Sequence, residues 1–486
     1  MKRTFALLLV LVLAASSIVS FLPVKAKPRI IFVPDDYSTV EAAIANADNG
    51  DTIFVRQGTY KGSSNQTLVI NKAITLCGET KGTTIINLSP SLVQKNICGY
   101  YYPCYLATMQ IDSDNVKISG LTVNTPGGEI SATGDGVQIV DITATTGVSI
   151  IGSRAIISGN TLKGDLSVIG NSTTVTHNLF HTGIVGPSFD VVGSNNLIVD
   201  NRLAYRNDTQ NIKLDIEGSN NIIAHNLLKA VYLEGENNTV YKNSMKVPPG
   251  NCGIYLIYGS RNVLCANRIA YVESPTHGEG IILTDSYDNV VYANHIEGVH
   301  KGIYLQNTDG NPWVTSNNVF YHNNFVNNAI QAWDTSITNR FDNGKEGNYW
   351  SCYNGTDANN DGIGDTPYSP VDLYIYPLGN NKQIEKVTKC GTDNYPLMAP
   401  FDIDSVNITL PELAHSSISS PEQDSPSPSP SPNPTLSPTE TSTPETTSLS
   451  EPPTGSFPTV LVTAASASSI TLGSVALLLY FKKRKH

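Results

Sequence analysis

One short pattern, repeated at uneven intervals, constrains this 486-residue chain more than any other feature. Its clear copies are Asn196–Asn201, Asn221–Asn226, Asn238–Asn243, Asn262–Asn267, Asn289–Asn294 and Asn318–Asn323, with fainter ones at Ala155–Asn160 and Thr173–Asn178. The second Asn recurs after 18, 23, 25, 17, 24, 27 and 29 residues. Two residues beyond it an apolar side chain always follows (Leu162, Phe180, Leu203, Leu228, Met245, Ile269, Ile296, Phe325). Three residues before it stands another (Ile157, Val175, Ile198, Ile223, Val240, Leu264, Val291, Phe320). A fixed local pattern with variable spacing is what stacked coils need when length differences are confined to loops.

The pattern also predicts a shape. Its two apolar positions are five apart, and an odd offset puts them on opposite faces of a straight strand. Both are apolar in every copy, so the chain bends between them. Asn tolerates the left-handed backbone of a tight bend, and stacked amides can hydrogen-bond from coil to coil. Gly, Asn, Ser and Thr are abundant, which favours short strands joined by turns. The expectation is an all-β fold: a right-handed, single-stranded parallel β-helix. Residues 27–110 form its cap and first coils, 111–335 its central repeats and 336–410 its C-terminal coils. Ser38–Ala47, with Val40, Ala43, Ile44 and Ala47 on one face, reads as a helix covering the open end. Ser89–Met109 reads as a protruding loop whose Tyr100, Tyr101, Tyr102 and Tyr105 form a sugar-stacking surface or simply its packed face.

Charge and the two ends bear on location. Charged residues are only 15% and the net charge is −11, which argues against a nucleic-acid partner. Lys2-Arg3, the apolar run Phe5–Leu22 and Val24-Lys25-Ala26 read as a cleaved signal peptide, 1–26; the alternative is an uncleaved anchor. Residues 411–458 are a Ser/Pro/Thr-rich stalk. Thr459–Phe481 is expected to be a transmembrane helix, and the basic tail 482–486 sets a single-pass protein on the extracellular face of the membrane. Of seven cysteines, Cys98 with Cys104 and Cys352 with Cys390 are the candidate disulfides.

Asp357, Asn359, Asp361 and Asp365 occupy positions 1, 3, 5 and 9 of a run with Gly362 at 6 and the Ile363 carbonyl available at 7. This spacing suits a structural Ca²⁺. Tyr368 at position 12 excludes an EF-hand, and an Asx turn held by its own hydrogen bonds is the alternative.

With these pieces in place the chain resembles the carbohydrate-binding and sugar-hydrolase β-helix repeat family. More closely, it resembles the periplasmic copper-binding (NosD-like) accessory family of nitrous-oxide reductase maturation. The likeness rests on Thr39-Val-Glu-Ala-Ala-Ile44, Gly50-Asp-Thr-Ile53 and Gly58-Thr-Tyr60, on the Asn-flanked coils, and on Asn348-Tyr-Trp350, Asp361–Tyr368 and Asp393–Met398. It implies copper delivery as one function, but four Met and no Met/His cluster depart from what Cu(I) favours.

For chemistry, the residues four before the first Asn of successive motifs are Glu217, Glu234, Tyr258 and Asp285. Stacking would place the Glu217 and Glu234 carboxylates roughly 5 Å apart, a separation glycosidases use. Asp215 adds a third carboxylate if it faces out. Tyr232, Tyr255 and Tyr258 are candidate ligand contacts. Two functions stand at this stage. One is a membrane-anchored protein that binds cell-surface polysaccharide or an envelope protein without catalysis. The other is a polysaccharide-processing hydrolase or lyase on the same scaffold.

Overall fold

The computed structural model describes residues 27–411 apart from 64–65, 90–91, 98–99, 106–107, 182–187, 205–212, 248–249, 272–277, 309–313, 335–337 and 371–390. Among these residues three parallel sheets run the length of a β-helix, and the chain visits them in turn. Sheet 1 has 13 strands, from Ile30–Val33 to Val319–Tyr321; sheet 2 has 13, from Gly58–Lys61 to Tyr349–Trp350; sheet 3 has 12, from Leu68–Ile70 to Ile330–Asp334. At ~4.8 Å per strand, 13 strands rise roughly 58 Å. Inward positions stack into apolar columns. In sheet 1 one column reads Ile53, Leu76, Ile118, Ile139, Ile157, Val175, Ile198, Ile223, Val240, Leu264, Val291 and Phe320, all fully buried.

The bend expected at the repeat is present, but the left-handed residue is the one before each Asn. His177, Asp200, His225, Lys242, Ala266, Ala293 and His322 have φ between 49° and 58°. They turn the chain from sheet 1 into sheet 2 and aim the next side chain inward. A second set, Asn195, Asn220, Asn237, Arg261, Asp288 and Asn317 (φ 56–60°), does the same at the entry to sheet 1. His177, His225 and His322 are therefore bend residues. Asp200 lies between the first two, 3.7 Å from each.

The inward asparagines form two buried ladders. From Asn160 through Asn178, Asn201, Asn226, Asn243, Asn267, Asn294 and Asn323 to Asn348, each Nδ2 donates to the Oδ1 of the next at 2.9–3.1 Å. Each backbone N–H donates to that same oxygen. The remaining amide proton goes to a sheet 1 carbonyl of the preceding coil at 2.8 Å, as from Asn226 to Ile198. The second ladder links Asn196, Asn221, Asn238, Asn262, Asn289, Asn318 and Asn339. Bends expose main-chain groups that no sheet partner can reach, and unpaired buried groups are costly. The ladders supply the missing partners.

Both ladders run donor-first toward the C-terminus, and both end on a buried carboxylate. Asn348 donates its N–H to Asp393 at 2.8 Å, and the same carboxylate takes Trp350 Nε1 at 2.8 Å and Tyr395 N–H at 3.0 Å. Asn339 Nδ2 lies 3.2 and 3.3 Å from the oxygens of Asp334. The floor of the solenoid is aromatic: Trp350 stacks on Phe325 at 4.4 Å and Phe341 on Phe320 at 5.0 Å. At the other end the helix Val40–Asn46, N-capped by Thr39, buries Val40, Ala43 and Ile44 over the first coil, as expected.

After the floor the chain turns back along the outside of the corner between sheets 2 and 1. Phe401 pairs with Asn324, Asp404 with Arg268 at 2.7 Å, and Tyr241 Oη donates to Val406 O at 2.9 Å. Val406, Ile408 and Leu410 cover an outward patch that includes Leu197, Val199 and Tyr241.

Three expectations are corrected. No helix among the described residues is long and apolar enough to cross a membrane. The single-pass anchor, and with it the membrane-anchored function, anchored partner and membrane-face location, are withdrawn; residues 459–481, like the leader 1–26, lie outside the described residues. The disulfide expected at Cys352 is not present. Cys352 is a free thiol 2.9 Å from Tyr368 Oη, and Cys390 lies outside the described residues. The protrusion is a hairpin, Leu92–Ile97 against Tyr100–Tyr105, whose register places Cys104 opposite Val93, while Cys98 lies outside the described residues.

Two predictions follow from the ladders. Asn226→Ala removes the acceptor of the Asn201 N–H and a donor to Ile198 O, so it costs about 2–5 kcal/mol. Denaturant unfolding measures this, and a loss below about 1 kcal/mol would contradict the role given to the ladder. Burial pushes Asp393 up to about 6 despite its N–H donors. The native state then holds a proton that the unfolded chain releases near pH 4. This stabilisation is complete below that pH and is lost as pH rises through 6, amounting to about 3 kcal/mol. Asp393→Asn, though less stable, should lack that slope between pH 4 and 6, as compared by thermal unfolding across pH.

Candidate functional site

The outward face of sheet 3 carries the chemistry. One outward column descends through Ser131, Ser149, Ser167, Asp190, Asp215, Tyr232, Tyr255, Ile282, Tyr304 and Trp333. Two residues further along each strand, a parallel column reads Ile151, Ile169, Val192, Glu217, Glu234, Ile257 and Thr284. Serines and aliphatic side chains thus occupy the N-terminal half of the face, carboxylates the middle and mainly aromatics the C-terminal half. Glycine holds the edge tight. A Cβ on Gly193, Gly218 or Gly235 would sit 2.0 Å from the carbonyl oxygen of the glycine one coil above.

Four carboxylates meet at the middle. Asp190 faces Asp215 on the next strand, and Glu217 faces Glu234. Asp215 Oδ1 is buried with no hydrogen-bond partner, while Lys213 Nζ lies 2.9 Å from Oδ2. Burial raises the Asp215 pKa above the usual carboxylate range; Lys213 opposes this and the charge of Asp190 adds to it. Burial also raises Glu234, with Glu217 contributing. Lys213 Nζ stands 4.4 Å from the centre of the Tyr232 ring, which meets Tyr255 edge-on at 5.4 Å. Burial raises the Tyr232 hydroxyl, so it stays protonated.

The other candidates are dispersed. A bulge between Glu234 and Glu236 shifts the register, so Glu234 pairs with Ile257. Tyr258 leaves the column, with φ 51° and 57% exposure. Asp285 is buried with φ 48° and accepts from the N–H and hydroxyl of Thr308, which is the work of a loop brace. Asp190 was missed. It stands three residues before Gly193, as Asp215 stands before Gly218, Tyr232 before Gly235 and Ser167 before Gly170. Counting back from the glycines, and not from the asparagines, would have found it.

The loop 357–365 closes on itself. Asp357 accepts from the N–H groups of Asp361 and Gly362, Asp361 from Ile363 N–H, and Asp365 from Ala358 N–H and the Thr356 hydroxyl. Asn359 Nδ2 donates to Asp361 at 2.8 Å. Among the described residues no group of three or more His, Cys, Asp or Glu is arranged to hold a metal ion.

Comparison with known proteins agrees with the architecture. Residues 219–345 match the family model for a right-handed beta helix region. A probable ABC transporter binding protein NosD of Stutzerimonas stutzeri is 32% identical over 155 residues, covering 28% of this chain and 34% of the relative. The corresponding protein of Pseudomonas aeruginosa is 30% identical, covering 28% and 35%. The chain thus spans about a third of the length of these relatives. Among solved structures, the Dettilon tailspike protein is similar at 13% identity and a TM-score of 0.40, over 71% of this chain and 74% of that one. The catalytic domain of a GH87 alpha-1,3-glucanase is similar at 14% and 0.38, over 68% and 71%. These likenesses are distant, and no functional residue is carried across from them. The chain is a right-handed parallel β-helix solenoid.

Proposed function

We propose that this chain processes polysaccharide on the outer face of sheet 3. The observation that carries the reading is the position of Asp215. It is a half-buried carboxyl with a raised pKa, at the junction of a carboxylate cluster and an aromatic row. Burial first, and the neighbouring Asp190, raise its pKa, which favours the protonated form that can donate to a leaving oxygen. Asp190, opposite Asp215 on the neighbouring strand, favours the protonated form because two adjacent carboxylates resist double ionisation. Glu217 and Glu234 supply carboxylates on the same face to act as base. Tyr232 and Tyr255 offer ring faces and edges against which sugar rings pack.

Asp215→Asn keeps the shape and removes the proton donor. It should lower kcat by about 10²–10⁴ with binding retained, measured as release of reducing ends. A parent protein that releases none from any polysaccharide it binds would overturn the catalytic reading.

Calcium at 357–365 is a separate proposal. It would replace N–H donors on Asp357, Asp361 and Asp365 and brace the C-terminal floor. Thermal unfolding with excess calcium should then show a higher midpoint than with chelator; equal midpoints would leave an Asx-turn loop that needs no ion.

A further inference from the structure

We infer that the corner groove holding 401–410 is a peptide-recognition site, and that it takes the same segment from a second copy of this chain. The inference stands apart from the catalytic reading of sheet 3.

The segment is attached differently from the chain before it. Met398 is still tied by its main chain, its N–H donating to Gly362 O at 3.0 Å. Ala399 and Pro400 follow, both exposed. From Phe401 onward, among the described residues, no main-chain hydrogen bond reaches a solenoid strand; those present join Ser405 to Asp402 and Val406 to Ile403 within the segment. Solenoid side chains hold it instead. It can lift away without breaking a sheet pair, so it opens at a lower free energy than the solenoid beneath it.

Those side chains read a sequence. Asn324 Oδ1 accepts from Phe401 N–H at 2.8 Å, and its Nδ2 donates to Phe401 O at 2.9 Å. The Phe401 ring stacks on His322 at 4.1 Å, and Glu346 holds that imidazole at 2.6 Å. Arg268 takes the Asp404 carboxylate at 2.7 Å; both side chains are exposed, so the pair sets register more than affinity. Tyr241 is buried and donates to Val406 O at 2.9 Å, and Ile408 N–H lies 3.4 Å from the same hydroxyl oxygen. Val406, Ile408 and Leu410 alternate with exposed Asn407 and Thr409 and pack on the patch that contains Leu197, Ala224 and Cys265. An aromatic residue, an acid three further on, and aliphatics five, seven and nine further on make a signature. Main-chain contacts combined with seats for alternate side chains are how extended peptides are recognised.

A second copy is the occupant whose fit the structure already displays. Every contact just described is open, unchanged, to 401–410 of another chain, which is the condition for exchange of an identical element. The connector fixes the geometry. Three steps from Met398 to Phe401 reach at most about 11 Å, so exchange brings two solenoid floors together. Exposed Tyr395 and Met398 beside the connector lie at that junction. The tethered segment has an effective concentration on the order of mM, so each chain fills its own groove when dilute, and exchange sets in where copies are concentrated.

Cys265 reports on the groove. It is fully buried in the patch under the segment, and burial pushes its thiol up to about 12, while only a thiolate reacts. Cys252, buried on sheet 3, controls for global unfolding, and exposed Cys352 is the fast standard. Iodoacetamide labelling of the full chain, read peptide by peptide in a mass spectrometer, gives the three rates. Ile408→Asp should release the segment and speed Cys265 at least about tenfold while Cys252 stays slow; if Cys252 speeds with it, Asp404→Ala takes its place. A synthetic peptide of residues 401–410 at about 1 mM should bring Cys265 back to within about threefold of the parent rate, and a scrambled peptide should not. A second chain carrying Ala224→Arg and Cys265→Ala has a blocked groove and an intact segment. Mixed with the first, it should protect Cys265 and give one-to-one pairs by light scattering. A Cys265 that stays slow after release, a scrambled peptide that protects as well, or a partner chain that leaves Cys265 reactive overturns the inference.

Discussion

The hydrogen bond from one asparagine amide to the next organises this molecule. A β-helix must turn its chain at every corner, and each corner strips main-chain groups of sheet partners. Here the turn is made by one left-handed residue and satisfied by the following asparagine, which is buried and bonded to the coils above and below. Because the amide is both donor and acceptor, the same residue serves every coil from Asn160 to Asn348, while Leu121 and Ile142 take that position in the two coils before them. A hydrophobic residue could fill that space but would leave the corner unpaired.

The ladders leave the outer faces free to differ. Sheet 1 is partly covered by the returning segment 401–410, whose Val406, Ile408 and Leu410 pack on its outward patch. Sheet 3 keeps an outward face along which small residues, carboxylates and aromatics succeed one another. Parallel register converts a sequence position into a height along the axis. A cluster such as Asp190, Asp215, Glu217 and Glu234 is therefore assembled from three coils by nothing more than stacking.

Much of this architecture was legible in the residues. The odd offset between the apolar neighbours of each Asn required a bend, and the Ser38–Ala47 pattern pointed to a cap. The position of the left-handed residue was not legible, because His, Asp, Lys and Ala all occupy it and share no side-chain property. The site was half legible. Glu217 and Glu234 were aligned from the asparagines, but one bulge after Glu234 broke that count and displaced Tyr258 and Asp285. Asp190 escaped because the loop between sheets 2 and 3 varies in length, while the glycine that fixes its height was read only as a turn. The ladder-ending carboxylates escaped for a different reason: Asp393 lies 45 residues from Asn348, and no local pattern joins them.

The polarity of the ladders has an evolutionary corollary. Every coil between Asn178 and Asn323 presents acceptors upward and donors downward, so any of these coils can follow any other. Whole coils can be duplicated or deleted, lengthening or shortening the face of sheet 3 by one strand spacing of ~4.8 Å, without redesign of the joints. The two termini cannot be exchanged in this way. The lower one ends in amide protons taken up by buried carboxyl groups, and that asymmetry gives a repetitive chain a defined last coil.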